Sequence, residues 1–91
     1  MKIRKHIYFT GMVQGVGFRY RACHAADSLG LTGWVQNLYD DRVEMEVQGE
    51  EEAIFKMIDM LNEGHFIHIT KLETEDLPLL DHESSFRVRG Y

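Results

Sequence analysis

Gly11-Met-Val-Gln-Gly-Val-Gly-Phe-Arg-Tyr20 joins two segments of different period, and the fold follows from how they are joined. Before it, Lys5 to Val13 reads as a half-buried strand, with Ile7, Tyr8 and Phe9 set among polar residues. After it, Phe18, Ala22, Ala25, Ala26 and Leu29 recur at helical spacing, and Gly30 stands where a left-handed C-cap would end a helix. The stretch is therefore a strand-to-helix junction. Glycines ahead of one arginine fit a tight turn, with Arg19 solvated, and equally a nest of converging backbone amides with a guanidinium beside it.

Working outward, Leu31, Gly33 and Val35 alternate with Thr32, Trp34 and Gln36, and Asn37-Leu-Tyr-Asp-Asp41 reads as a turn. Val43, Met45 and Val47 then alternate with Glu44, Glu46 and Gln48, which makes the pair a hairpin. Gly49 and the acidic run Glu50 to Glu52 suit a helix N-terminus, Ile54, Met57, Ile58 and Leu61 form its apolar stripe, and Gly64 closes it. Phe66 to Leu72 reads as a strand, Asp76 to Ser84 around Pro78 as a loop, and Phe86 with Val88 as a short closing strand. The order is βαββαβ with an extra terminal strand. That predicts an α+β, ferredoxin-like split βαβ sandwich, with two helices on one face of a mainly antiparallel sheet, in a single domain spanning 1–91.

In each βαβ unit the two strands run parallel, so the glycine-rich loop after the first strand and Asn37 at the end of the second share one sheet edge. The N-terminus of the first helix, whose free N–H groups favour an anion, lies there too.

Composition narrows the function classes. Ninety-one residues, 44% hydrophobic with one proline, leave room for one small domain and no low-complexity tail. Ten Lys and Arg against fifteen Asp and Glu give a net charge of −5, and basic residues cluster only in Lys2-Ile-Arg-Lys-His6. Nucleic acid and acidic membrane surfaces are disfavoured as partners, since both need a positive footprint. No apolar run reaches signal-peptide or membrane-span length, and the lone Cys23 rules out an intrachain disulfide, so the expectation is a soluble cytoplasmic chain, read as a monomer.

Better-known glycine patterns fail on this stretch. A dinucleotide fingerprint would want glycine at Tyr20, and a nucleotide P-loop would want Gly-Lys-Ser/Thr where Gly-Phe-Arg stands. The RNA-recognition motif shares the element order but carries aromatics on its third strand, where this chain has Glu44 and Glu46.

Gly11-x-Val13-Gln14-Gly15-Val16-x-Phe18-Arg19 and Leu29-Gly30-Leu31-x-Gly33-Trp34-Val35-x-Asn37 closely resemble the two motifs of the acylphosphatase family, and the similarity continues through Val43-Glu44 and Gly49 to the final strand. The resemblance implies an enzyme that hydrolyses acyl phosphates to a carboxylate and inorganic phosphate, with the latter as product and inhibitor. It implies that Arg19 and the backbone amides of Gln14, Gly15, Val16, Gly17, Phe18 and Arg19 hold the phosphate, that Asn37 orients the attacking water, and that no metal or other cofactor is needed. The chemistry is reasonable on its own terms. An acyl phosphate is already activated, so placing water in line and stabilising phosphoryl charge suffices. The chain departs from the family at Asp40-Asp41-Arg42, where glycine commonly follows the aspartate, and at Gly64-His65, where Gly-Pro is usual. A noncatalytic anion-binding or regulatory module on the same fold is the rival expectation.

Other chemistry-bearing residues have plainer readings. Cys23 and His24 are adjacent on a helix and point apart, so the thiol reads as packed. His65 and His68, three apart on a strand, face opposite sides, and His6, His24 and His82 add no ligand spacing. Glu44 and Glu46 read as the polar phase of a strand, and Trp34 as a packing residue.

Overall fold

Val43, Met45 and Val47 share one phase of a strand, and all three are completely buried. That phase sets the layers. In the computed structural model, which describes residues 1–90, the elements are β1 (Lys2–Met12), α1 (Phe18–Leu29), β2 (Thr32–Asn37), β3 (Val43–Glu50), α2 (Glu51–Asn62), β4 (His68–Leu77) and β5 (Phe86–Val88). On β3, Val43 stands between Phe9 and Asn37, Met45 between Ile7 and Val35, and Val47 between Lys5 and Gly33. The buried members of these rows form one core with Phe18, Ala22, Ala25 and Ala26 of α1 and Ile54, Met57 and Leu61 of α2. Both helices thus cover the same sheet face. Each fully buried aliphatic or aromatic side chain here contributes roughly 1.5–3 kcal/mol, so the α2 stripe binds that helix well beyond its intrinsic propensity.

The sheet order is β4-β1-β3-β2-β5. β1 and β2 are both antiparallel to the β3 that separates them, and are therefore parallel to each other, as the split βαβ reading requires. β4 is antiparallel to β1, and β5 runs parallel to β2, so the expected architecture holds with one parallel edge pairing.

Several boundaries differ from expectation, beginning with β1, which starts at Lys2 rather than Lys5. β4 begins at His68 rather than Phe66, which is exposed, and runs on to Leu77, where Pro78 withdraws the next N–H from the ladder. Gly49 lies inside β3, and Glu50 is the N-cap of α2, with Glu51 and Glu52 in the first turn. α2 closes at Glu63 in right-handed geometry, so Gly64 is no left-handed cap. Its role is close approach: a Cβ there would press on the Ile67 side chain, at 3.1 Å from Cγ1. α1 does end on a left-handed Gly30, whose N–H donates to the Ala26 carbonyl.

The opposite phase carries Arg4, His6, Tyr8, Trp34, Glu44 and Glu46, on the face turned away from the helices. His6 Nε2 lies 2.8 Å from Glu44 Oε2, Arg4 donates to Glu46 and Glu83, and the Arg89 guanidinium sits 4.1 Å from the Trp34 ring centroid. Glu44 and Glu46 are thus paired members of this face.

Candidate active site

β1 ends at Met12, completely buried Val13 anchors the chain, and α1 starts at Phe18. Between them Gly15 and Gly17 take left-handed φ values of 70° and 79°, which an L side chain would resist. Gly17 is the N-cap and offers no side chain to the first helical N–H groups. Left-handed residues on either side of Val16 are the backbone type from which anion-binding nests are built. The helix dipole adds positive potential at the same point.

Asn37 reaches this loop through strand phase. It continues the inward row Gly33, Val35, Asn37, so its amide is directed to the helix side of the sheet at the end of β2. Its Oδ1 is buried and has no hydrogen-bond partner among the described residues. Buried polar atoms are nearly always satisfied, so this acceptor is open to a donor such as a water.

Gly15, Gly17, Phe18, Arg19 and Asn37 line a common cavity of about 460 Å³. Val13, Tyr20, Cys23 and Val88 complete its wall, so Arg19 is the one charged side chain in the lining. Gln14 and Val16 are not in that lining. Val16 packs against the core instead.

Gln14 has a function that sequence reasoning missed, having considered only its backbone amide. Its Nε2 donates to the Leu38 carbonyl at 2.8 Å and to the Arg42 carbonyl at 2.9 Å. Leu38 N–H also donates to the Arg42 carbonyl at 2.9 Å, closing the mouth of the β2–β3 turn. The loop is thereby stapled to the residues that directly follow Asn37. The sequence offers only an amide side chain with two donors, and nothing in its spacing names the carbonyls it reaches.

Cys23 lies in the cavity wall, but burial pushes its thiol above the ordinary range, so it is protonated near neutrality and a poor nucleophile. His24 stacks on Tyr20, with ring centroids 6.1 Å apart. His65 and His68 are exposed, and Glu44 and Glu46 occupy the other sheet face.

Two left-handed glycines at a helix N-terminus, one arginine and one amide oxygen without a partner among the described residues line a single cavity, and suit a phosphoryl group and a water. The acylphosphatase family model matches residues 5–88. The chain belongs to the acylphosphatase family. An acylphosphatase of Bifidobacterium longum is 40% identical over 89 residues, covering 96% of this chain and 92% of that protein. One from Geobacillus kaustophilus is 42% identical over 86 residues, covering 93% and 92%. The crystal structure of an acylphosphatase from Bacillus subtilis superposes with a TM-score of 0.85 at 34% identity, covering 97% of this chain and 98% of that one. The family assignment brings with it a hydrolase acting on a small-molecule acyl phosphate, and the split βαβ sheet is the acylphosphatase fold.

Proposed function

We propose that Arg19 and the amides of Gln14 to Arg19 bind the phosphoryl group of an acyl phosphate, and that Asn37 orients the water that attacks it. The observation that carries this reading is the buried Asn37 Oδ1, without a partner among the described residues, on the same cavity as Arg19 and the two left-handed glycines. Asn37 Oδ1 accepts a hydrogen bond from water, whose oxygen forms the new bond to phosphorus as the bond to the carboxylate oxygen breaks. An amide is too weak a base to remove the proton, which passes to a phosphoryl oxygen of the substrate. Arg19 and the loop amides stabilise charge on the equatorial oxygens, so this chemistry asks no metal of the protein. The products are a carboxylate and inorganic phosphate, and the latter, fitting the same cradle, inhibits competitively. The unit that works is the single domain 1–91, as a cytoplasmic monomer.

The test is phosphate release from acetyl phosphate by wild type, Arg19→Ala and Asn37→Ala. Arg19→Ala should lower kcat/KM about 10²–10³-fold and weaken inhibition by phosphate. Asn37→Ala should lower kcat about 10²-fold while phosphate inhibits as before, because water placement matters chiefly in the transition state. A wild type that binds phosphate without turnover would make the chain a noncatalytic anion-binding module.

A further inference from the structure

A second cavity of about 460 Å³ lies beside the first, and Tyr20 and Cys23 line both. Tyr20, His24 and Asp27 follow at i, i+4 and i+7 of α1 and share one helix face. On the facing wall, β5 gives Phe86 to the second cavity and Val88 to the first, two residues apart and hence on one side of the strand. The two cavities are therefore the ends of one groove between α1 and β5. From Arg19 to Asp27 the helix rises about 12 Å.

The lining changes along that length. Cys23 and Phe86 stand towards the shared wall, whereas Leu31, level with Ser84 in the parallel β2–β5 register, lies at the far end with the hydroxyls of Thr32, Ser84 and Ser85 and the carboxylate of Asp27, and His24 lines the same cavity. We propose that this groove is the acyl subsite, and that it favours extended acyl groups with an apolar stem and a neutral hydrogen-bonding tip such as a hydroxyl. The inference rests on the phosphoryl site described above, because a phosphate held at Arg19 places the acyl carbon at the groove's entrance. The stem gains by leaving water against Cys23 and Phe86, and the tip replaces water on the serine hydroxyls. Asp27 repels a terminal carboxylate and so selects against dicarboxylic acyl groups.

The experiment measures kcat/KM on acetyl, hexanoyl, 6-hydroxyhexanoyl and adipoyl monophosphates, corrected for spontaneous hydrolysis, with wild type, Ser84→Trp and Asp27→Asn. Hexanoyl phosphate should exceed acetyl phosphate by about tenfold, a fraction of what full burial of the added methylenes would give. The hydroxyl-tipped substrate should exceed hexanoyl, and adipoyl should trail both. Asp27→Asn should raise adipoyl about threefold, the scale of one exposed charge pair, and leave acetyl unchanged. Ser84→Trp, at an exposed position, should bring the six-carbon substrates down to the acetyl level without altering acetyl turnover or phosphate inhibition. A wild-type profile flat in chain length, or a Ser84→Trp loss equal on all four substrates, overturns the acyl subsite while leaving the phosphoryl site standing. Failure of wild type to hydrolyse acetyl phosphate overturns the catalytic reading itself.

Discussion

Asp41 is the residue at which this chain departs from the family's usual glycine, and it keeps the glycine's geometry. Its φ is 72°, left-handed, in the turn between β2 and β3, with Asp40 Oδ2 accepting from Arg42 Nε at 2.8 Å on the next side chain. Aspartate tolerates that region better than most residues but still with strain. Asp41→Gly should therefore stabilise the chain by about 0.5–1 kcal/mol after the added unfolded-state entropy of glycine, a rise of several degrees in Tm. An unchanged or lower Tm would mean that the Asp41 side chain contributes more than its backbone strain costs. Gln14 tests the opposite case. Gln14→Leu leaves the Leu38 carbonyl short of a donor, leaves the Arg42 carbonyl with the Leu38 N–H alone, and frees the loop from the turn, so kcat should fall and Tm should drop with a cost of about 1–2 kcal/mol. The meeting of Arg19 and Asn37 was legible in the sequence because the parallel strands of the βαβ unit bring the glycine-rich loop and the end of β2 to one sheet edge. The Gln14 staple was not, since no local period encodes which distant carbonyl a side chain will reach.

At the scale of elements, the polar phase of the sheet ties strands together through groups that titrate. Burial alone would raise the Glu44 carboxyl, but hydrogen bonds accepted from His6 and Gln36 outweigh it and hold the group below the ordinary glutamate range. For Glu83 burial is likewise overcome, here by Arg4 and Thr32. A depressed folded-state pKa means the unfolded chain takes up protons first, so the stability these groups supply is complete above about pH 4.3 and is lost as pH falls below it. Urea midpoints should fall through that acid range. Glu83→Gln should start with a lower midpoint at about pH 6, and the gap to wild type should narrow as pH falls below about 4.3, as the proton silences the carboxylate in wild type. Midpoint curves that stay parallel would deny Glu83 any part in the acid limb. Element types were readable because alternation in β3 and the apolar stripe of α2 are strong local signals. Ends were less so: the strand start at His68 depends on pairing with Met12 of β1, and Gly64 serves packing on Ile67 rather than a cap.

For the whole molecule, the segment from Pro78 to Ser85 must carry the chain from β4 at one sheet edge to β5 at the other. It crosses the face away from the helices, where Gln48 Nε2 donates to the Leu80 carbonyl at 3.0 Å and Leu80 N–H donates to Gln48 Oε1 at 2.8 Å. Arg4 reaches Glu83 from the same row, and it and Gln48 are each only 3% exposed although they point away from the core. The strap thus covers part of the second face, and its far end delivers Phe86 and Val88 to the groove beside α1. This link joins one side of the sheet to the site on the other, and it depends on a chain path that strand periodicity alone does not describe. Gln48→Leu should loosen it locally. The Gly33 N–H, which donates to the Ser85 carbonyl at 3.0 Å, and the Arg89 N–H, which donates to the Val35 carbonyl at 2.8 Å, should exchange with solvent about tenfold faster. Amides in the β1–β3 ladder should keep their protection, because the core rows beneath them are untouched. Equal acceleration in both sets would show that Gln48 supports global stability, and that β5 does not open on its own.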